Sequence, residues 1–343
     1  MKLVFVTQTL DPAHPALAQT LDLAAALAAR VDHLAVVTRQ CEWTAPENAS
    51  VRTFDASSRI GRVAAFERAV GDATRGADAV LVHMVPQFAL LAAPIARARR
   101  APLLLWYTHW HASRALRAAT RIVDAALSVD ASSYPVPTPR LHAIGHAIDV
   151  ERFDAPSVEP HDGPLRLLAL GRTARWKGLG TLVEAVELAE ADLRLEIRGP
   201  SLTADEVEHR RELAARADVR DAVPREEVPE LLAGIDLVVS PNEPRAGATL
   251  DKAVFEAAAC RRPVLSTNAA FRPLLGGLPV DLIAPPRDAA ALAARLDAFA
   301  GSPLDARIAA GDELRRRVAR DHSLDHWARA VVDVVTEVRS PRG

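Results

Sequence analysis

Cysteine, methionine and tyrosine number only two each in this 343-residue chain. Cys41 and Cys260 lie far apart in sequence, and no Cys/His spacing resembles a zinc site. That excludes a disulfide framework and fits a reduced, cytoplasmic compartment. Charge of one sign is also missing: 42 basic residues face 44 acidic ones, a net of -2, so the footprint of a dedicated nucleic-acid binder is absent. Long hydrophobic runs are missing too. The first apolar run, Leu3 to Val6, gives way to polar residues from Thr7, too soon for a signal peptide or a membrane span. No heptad run, short internal repeat or low-complexity tract stands out beyond alanine richness.

What remains is ordinary globular material, with 49% hydrophobic and 25% charged residues. At roughly 100–200 residues per domain the length predicts two domains. Lysine is the scarce residue with the most to say: only Lys2, Lys177 and Lys252 occur among the 42 basic residues. Such an arginine bias suggests a GC-rich genome, in which a surviving lysine marks a place where the planar guanidinium does not substitute for a compact ammonium.

Short apolar runs alternate with helical patterns. Leu3 to Val6, a helix over about 16–30 and Leu34 to Val37 make a βαβ opening. Further strands are expected at Val51 to Phe54, Ala79 to His83, Leu103 to Tyr107, Ala125 to Val129 and Leu141 to Ile144. Continuous apolar runs of this kind are the pattern of buried parallel strands. A Pro-rich stretch over 151–163 reads as a linker between a first domain, 1–150, and a second, 164–322. The second restarts with strands Leu165 to Leu170, Leu193 to Ile197, Leu237 to Val239 and Val264 to Leu265, with helices at about 251–260 and 289–300. Residues 323–343 form a terminal helix and tail that could pack back on the first domain. Neither half carries G-x-G-x-x-G between its first strand and helix, which disfavours a dinucleotide site.

Two constellations carry chemistry. Gly171-Arg172-Thr173-Ala174-Arg175-Trp176-Lys177-Gly178 places cations where a helix begins at the carboxyl end of a strand, an anion site by position. Arg172 offers a bidentate fork and Lys177 a point charge, while Arg175 is as readily a surface residue. The second runs Thr249-Leu250-Asp251-Lys252 through Glu256 to Cys260, then Arg261-Arg262-Pro263-Val264. Thr249 or Asp251 is expected to cap its helix, with Glu256 near free backbone N–H groups where a carboxylate can bind a sugar diol or simply complement the helix dipole.

In this order the motifs resemble the family 4 retaining glycosyltransferases, over nearly the whole chain. Strand, Gly-Arg, turn and Lys-Gly is similar to that family's diphosphate-binding segment, and the Glu256 helix followed by Pro-Val to its donor-binding helix. Gly145-His146-Ala147-Ile148-Asp149-Val150-Glu151-Arg152-Phe153 resembles its interdomain stretch, and Gly199-Pro200 the loop near the base. The resemblance implies an α/β GT-B fold: two facing Rossmann-like, doubly wound domains with a cleft, acceptor on the first and nucleotide sugar on the second. It implies transfer with retention, no metal and no cofactor beyond the nucleoside diphosphate sugar as donor substrate. Arg172 and Lys177 would hold the diphosphate, Glu256 the ribose and His109 the donor sugar, with His111 competing for the last role. Gly171, Gly199, Thr249, Leu250, Asp251 and Lys252 would complete the donor site.

Two departures qualify it. Ala248 stands where the family has a first glutamate, for which Glu243, Asp251 or Lys252 are candidate substitutes, and Asp11 and His14 replace a Gly-Gly loop on the acceptor side. The acceptor expected is a small molecule, natural product or envelope component; a nucleotide-sugar binding protein without transfer and a sugar-nucleotide epimerase share the architecture. Arg114, Arg117 and Arg121 recur on one helix face beside mostly alanine, better read as a solvated stripe than a membrane contact. Sugar, base, acceptor and oligomeric state are not legible in the sequence.

Overall fold

The computed structural model describes all residues except 13, 15, 16, 243–249 and 341–343. The chain divides into two compact units, Met1–Ala147 with Ser323–Gly343, and Ile148–His322.

The first unit is built on seven parallel strands. They are β1 (Lys2–Val6), β3 (His33–Thr38), β5 (Ala49–Thr53), β6 (Ala79–His83), β7 (Leu103–Trp106), β8 (Ala125–Ser128) and β9 (Leu141–Ala143), in the order β5-β3-β1-β6-β7-β8-β9. Short strands β2 (Thr9–Leu10) and β4 (Gln40–Cys41) pair separately. Central strands such as β6, Ala-Val-Leu-Val-His, are buried at every position, so they need an apolar residue on both faces and show no alternation. Helices α1 (Thr20–Ala28), α2 (Arg59–Ala73), α3 (Pro86–Ala98) and α4 (Arg114–Ile122) connect them. Ser58 and Ser113 start α2 and α4 by accepting the N–H groups of Gly61 and Leu116, and Pro86 opens α3 where a missing N–H costs nothing. The core between the sheet and α2, α3 and α4 holds Val4, Val6, Phe66, Val70, Val80, Val82, Leu105 and Leu116. The terminal helix, Leu324–Arg339, belongs to this unit: its fully buried Trp327 meets Trp106 edge to face at 5.7 Å, and Asp325 pairs with Arg30.

The second unit has five parallel strands, β10 (Leu165–Leu170), β11 (Leu193–Arg198), β12 (Asp218–Arg220), β13 (Leu237–Ser240) and β14 (Val264–Ser266), ordered β12-β11-β10-β13-β14. Its helices are α5 (Leu179–Leu188), α6 (Ala204–Ala214), α7 (Val228–Ala233), α8 (Lys252–Ala259), α9 (Arg272–Leu275), α10 (Ala289–Ala300) and α11 (Leu304–Asp321). Residues 151–163, expected as a linker, begin in a part held by arginine forks. Arg261 donates to Asp154 and Ala155 O, Arg262 to Pro156 O at 2.7 Å, and Arg315 to Phe153 O and Val150 O at 3.0 and 3.1 Å. A pattern without regular structure thus satisfies its carbonyls on side chains instead of on a ladder.

Candidate functional site

In the second unit the chain runs from β10 outward through β11 to β12, then returns to the other side of β10 for β13 and β14. The junction of β10 and β13 is therefore the topological switch point, where a crevice opens at the carboxyl ends of an open α/β sheet. Gly171-Arg172 leaves β10 there, and Pro241-Asn242 leaves β13.

Two glycines make the local packing possible. A Cβ on Gly199, after β11, would lie 1.8 Å from Gly171 O, so the two loops touch backbone to backbone. At Gly178, φ is +68° and a Cβ would lie 1.9 Å from Pro241 O. Gly178 closes a 3-10 turn, Arg175–Lys177, and leads into α5. That turn carries Lys177 inward until only 8% of it is exposed, with its Nζ 4.7 Å from the centre of the Trp176 ring.

The Lys177 ammonium donates to both carboxylate oxygens of Asp251, at 2.6 and 2.5 Å, and Asn242 Nδ2 donates to the same carboxylate. The two constellations separated by more than seventy residues thus meet in one ion pair. Asp251 occupies the N-cap position of α8 but makes no capping bond, because its carboxylate is turned to Lys177. Glu256 is the fifth residue of that helix, beyond the four free N–H groups, and its carboxylate lies 3.0 Å from Lys252 Nζ. Neither capping by Asp251 nor a Glu256 beside free N–H groups, as expected from the sequence, is found. Leu250 is buried; Glu243, Ala248 and Thr249 lie outside the described residues.

Arg172 is also paired. Its Nη2 donates to Glu206 Oε1 and its Nε lies 3.4 Å from Oε2, while 42% of the side chain stays exposed. Glu206, in the first turn of α6, is almost fully buried. Burial pushes its carboxyl up, but the Leu202 N–H at 2.6 Å and the Arg172 guanidinium more than offset this and hold it below the usual carboxylate range. Sequence reading did not single out Glu206. The signal was available in Thr203-x-x-Glu206, where Thr203 caps α6 by accepting the Glu206 N–H at 3.2 Å. Arg175 is half-exposed and pairs with Asp205 and Glu212, the surface role left open for it.

In the first unit, His109 follows β7 and is half-buried. Burial, then the neighbouring His111, lowers its pKa, and its Nδ1 accepts the His111 N–H at 3.1 Å. His111 itself is exposed, and His14 accepts the Leu17 N–H at 3.0 Å through Nδ1. A residue that sequence reading passed over is His83, the last of β6. It sits at this sheet's own switch point, β1 against β6, with Nδ1 3.2 Å from Thr7 Oγ1. Burial pushes its pKa down to about 4, so the ring is neutral near pH 7.

With this geometry in place, residues 164–301 match the family described as Glycosyl transferases group 1. The whole chain also superposes on solved glycosyltransferase structures. A glycosyltransferase from Rickettsia africae aligns with a TM-score of 0.76 at 14% identity, covering 99% of each chain. Anabaena HepE, solved with UDP and glucose, gives 0.74 at 15%, covering 98% of this chain and 100% of the other. Sucrose-phosphate synthase from Thermosynechococcus elongatus gives 0.72 at 17%, covering 98% of each. The fold is GT-B. No curated protein matches the chain in sequence. Among the described residues no helix is long and apolar enough to cross a membrane.

Proposed function

We propose that this GT-B chain is a retaining, metal-independent glycosyltransferase of family 4 type that moves a sugar from a nucleoside diphosphate sugar to an acceptor. The observation that carries the reading is the Lys177–Asp251 ion pair at the switch point of the second unit, with Arg172 lining the same crevice, inside the span that matches Glycosyl transferases group 1. The donor's diphosphate takes Lys177 and Arg172, Gly171 and Gly199 let it approach the backbone, and the Glu256 carboxylate takes the ribose. Leu250, Asp251 and Lys252 line the sugar side, and Thr249 and His109 keep the roles that the family resemblance implies for them.

As the anomeric bond breaks, positive charge grows on the sugar and negative charge on the departing diphosphate. Cations already fixed in place stabilise that separation with little reorganisation. Lys177 is fixed by Asp251 and Arg172 by Glu206, so each waits in position beside a carboxylate that balances it until phosphate arrives.

HepE was solved with UDP-glucose, which supports uridine donors as the first to try. The test is incubation with a panel of nucleotide sugars, with and without acceptors and with EDTA, reading nucleotide release and product anomer by NMR. Acceptor-dependent release in EDTA with a retained anomer is the expected outcome. Epimerised donor, or binding with no turnover, would replace the reading by the epimerase or the non-transferring binder. With an active donor in hand, Lys177→Ala should lower kcat/KM by about a hundredfold, roughly 3 kcal/mol; an unchanged value would remove Lys177 from the site.

A further inference from the structure

A second cavity, of about 230 Å³, lies wholly within the first unit. It opens at the carboxyl ends of β1, β3 and β5, since Gln8, Arg39 and Phe54 in its wall follow those strands. That is the end of a parallel sheet at which ligands bind. Helices α2 and α3 supply the rest of the lining.

Its apolar side is a layered aromatic cluster. Phe66 and Phe88 stack at 5.1 Å and 27°, and Phe54 meets them edge-on at 5.0 and 5.4 Å. Phe54 and Phe66 are buried, whereas Phe88 remains partly open. In a chain with only 4% aromatic residues, three converge here on one cavity. Its polar side is cationic: Arg39, Arg59 and Arg62 line it. The carboxylate paired with this rim is Asp55, 3.9 Å from Arg39 and largely exposed. Arg39 Nε is buried without a partner, and the guanidinium groups of Arg59 and Arg62 have no acceptor among the described residues.

We propose that this cavity binds an anionic aryl compound, its flat ring seated against Phe54, Phe66 and Phe88 and its carboxylate or phosphate held by Arg59 and Arg62. Aromatic rings gain from edge and face contacts with other rings beyond the area they bury, and guanidinium forks match carboxylate and phosphate geometry. The volume is ring-sized and below that of a pocket enclosing a whole drug-sized molecule, so the remainder of the ligand stays outside. As a statement about the acceptor's chemical class the proposal rests on the glycosyl-transfer reading; as a statement about binding it does not.

The probe is 2-naphthoate, titrated calorimetrically into the full chain at low salt. It is compared with the neutral 2-naphthylmethanol and the aliphatic octanoate. Naphthoate should bind at least about tenfold more tightly than either comparison compound, and Arg59→Ala/Arg62→Ala should erase that advantage. Both arginines sit at the open start of α2, so the double variant should keep the wild-type circular dichroism; Val63→Trp, which fills the cavity from the same helix, is the independent check. The proposal is overturned if naphthoate does not bind, if either comparison compound binds as well, or if both variants bind naphthoate like the wild type. UDP is titrated into the same samples: UDP binding without naphthoate binding sinks this inference alone, and naphthoate binding without UDP binding sinks the donor-site reading alone.

Discussion

A phosphate that reaches Lys177 must compete with Asp251, and this sets up an experiment with a sign. The ammonium lies 2.6 Å from one carboxylate oxygen, and the two side chains are 10% and 22% exposed. Unit charges about 4 Å apart in a medium of effective dielectric about 20 interact by about 4 kcal/mol, and the cost of taking both groups partly out of water offsets much of it. Asp251→Asn removes that competitor and a negative charge facing the incoming diphosphate, while an amide oxygen remains to hold the ammonium. If a third of the Coulomb figure survives as net effect, UDP should bind about tenfold more tightly, roughly 1.4 kcal/mol. Lys177→Met should act oppositely and leave Asp251 as uncompensated repulsion, weakening UDP by about a hundredfold. UDP is the right ligand, since a sugar-bearing donor would mix this effect with any contact Asp251 makes to the sugar. Calorimetric titration of the wild type and both variants reads it directly. Weaker UDP binding by Asp251→Asn would refute the reasoning and make Asp251 a positioning partner that Lys177 needs.

Three further outcomes test the frame around the site. Gly199→Ala puts a Cβ 1.8 Å from Gly171 O, so the loops after β10 and β11 must separate; urea denaturation should show a loss of about 3 kcal/mol, and wild-type stability would contradict the close approach. Asp236, 1% exposed, accepts from the Arg166 backbone and side chain and from His161, and these bonds outweigh burial to hold its carboxyl below the usual range. Asp236→Asn leaves a partly exposed guanidinium without its counter-charge and should cost about 1.5–3 kcal/mol in the same assay. His83 keeps a pKa of about 4 when folded against about 6.5 in the unfolded chain, so the unfolded state alone takes up its proton between those values. Its contribution, about 3 kcal/mol, is complete above pH 6.5 and is lost as pH falls to about 4; His83→Gln should abolish that part of the acid sensitivity, and equal slopes for both proteins would refute it.

The parallel core of both units could be read from the sequence because burial on both faces writes itself as uninterrupted apolar runs. β6 and β10 stand within a residue of where their runs predict them. What stayed hidden was held by something other than apolar area. β12 contributes one apolar residue, Val219, at a sheet edge, and its two charged neighbours pair with each other instead. α6 buries one apolar side chain, Leu213; Glu206 and His209 make up the rest of its buried face, one bound to Arg172 and the other to Thr173 O at 2.7 Å. α11 dilutes its stripe with Ala310 and Gly311, and Gly311 is there because a Cβ would fall 2.2 Å from Arg261 O.

The same distinction runs through the candidate site. Arg172 and Lys177 were visible as cations after a strand, but their pairing with Glu206 and Asp251 was not, since an acidic residue at a helix start reads equally as a cap. Asp251 occupies the cap position and declines the cap; Glu206 sits in a capping-box pattern and turns its carboxylate to the Leu202 N–H and Arg172. In both cases a tertiary cation outbid the helix's own free N–H groups, as a charged partner at close range should. A cation left free at a switch point would draw any passing anion, whereas one held by a carboxylate yields only to a ligand carrying more negative charge. A diphosphate meets that condition and a single carboxylate does not, so on the proposed donor-site reading the paired resting state would favour a diphosphate before any contact with base or sugar is made.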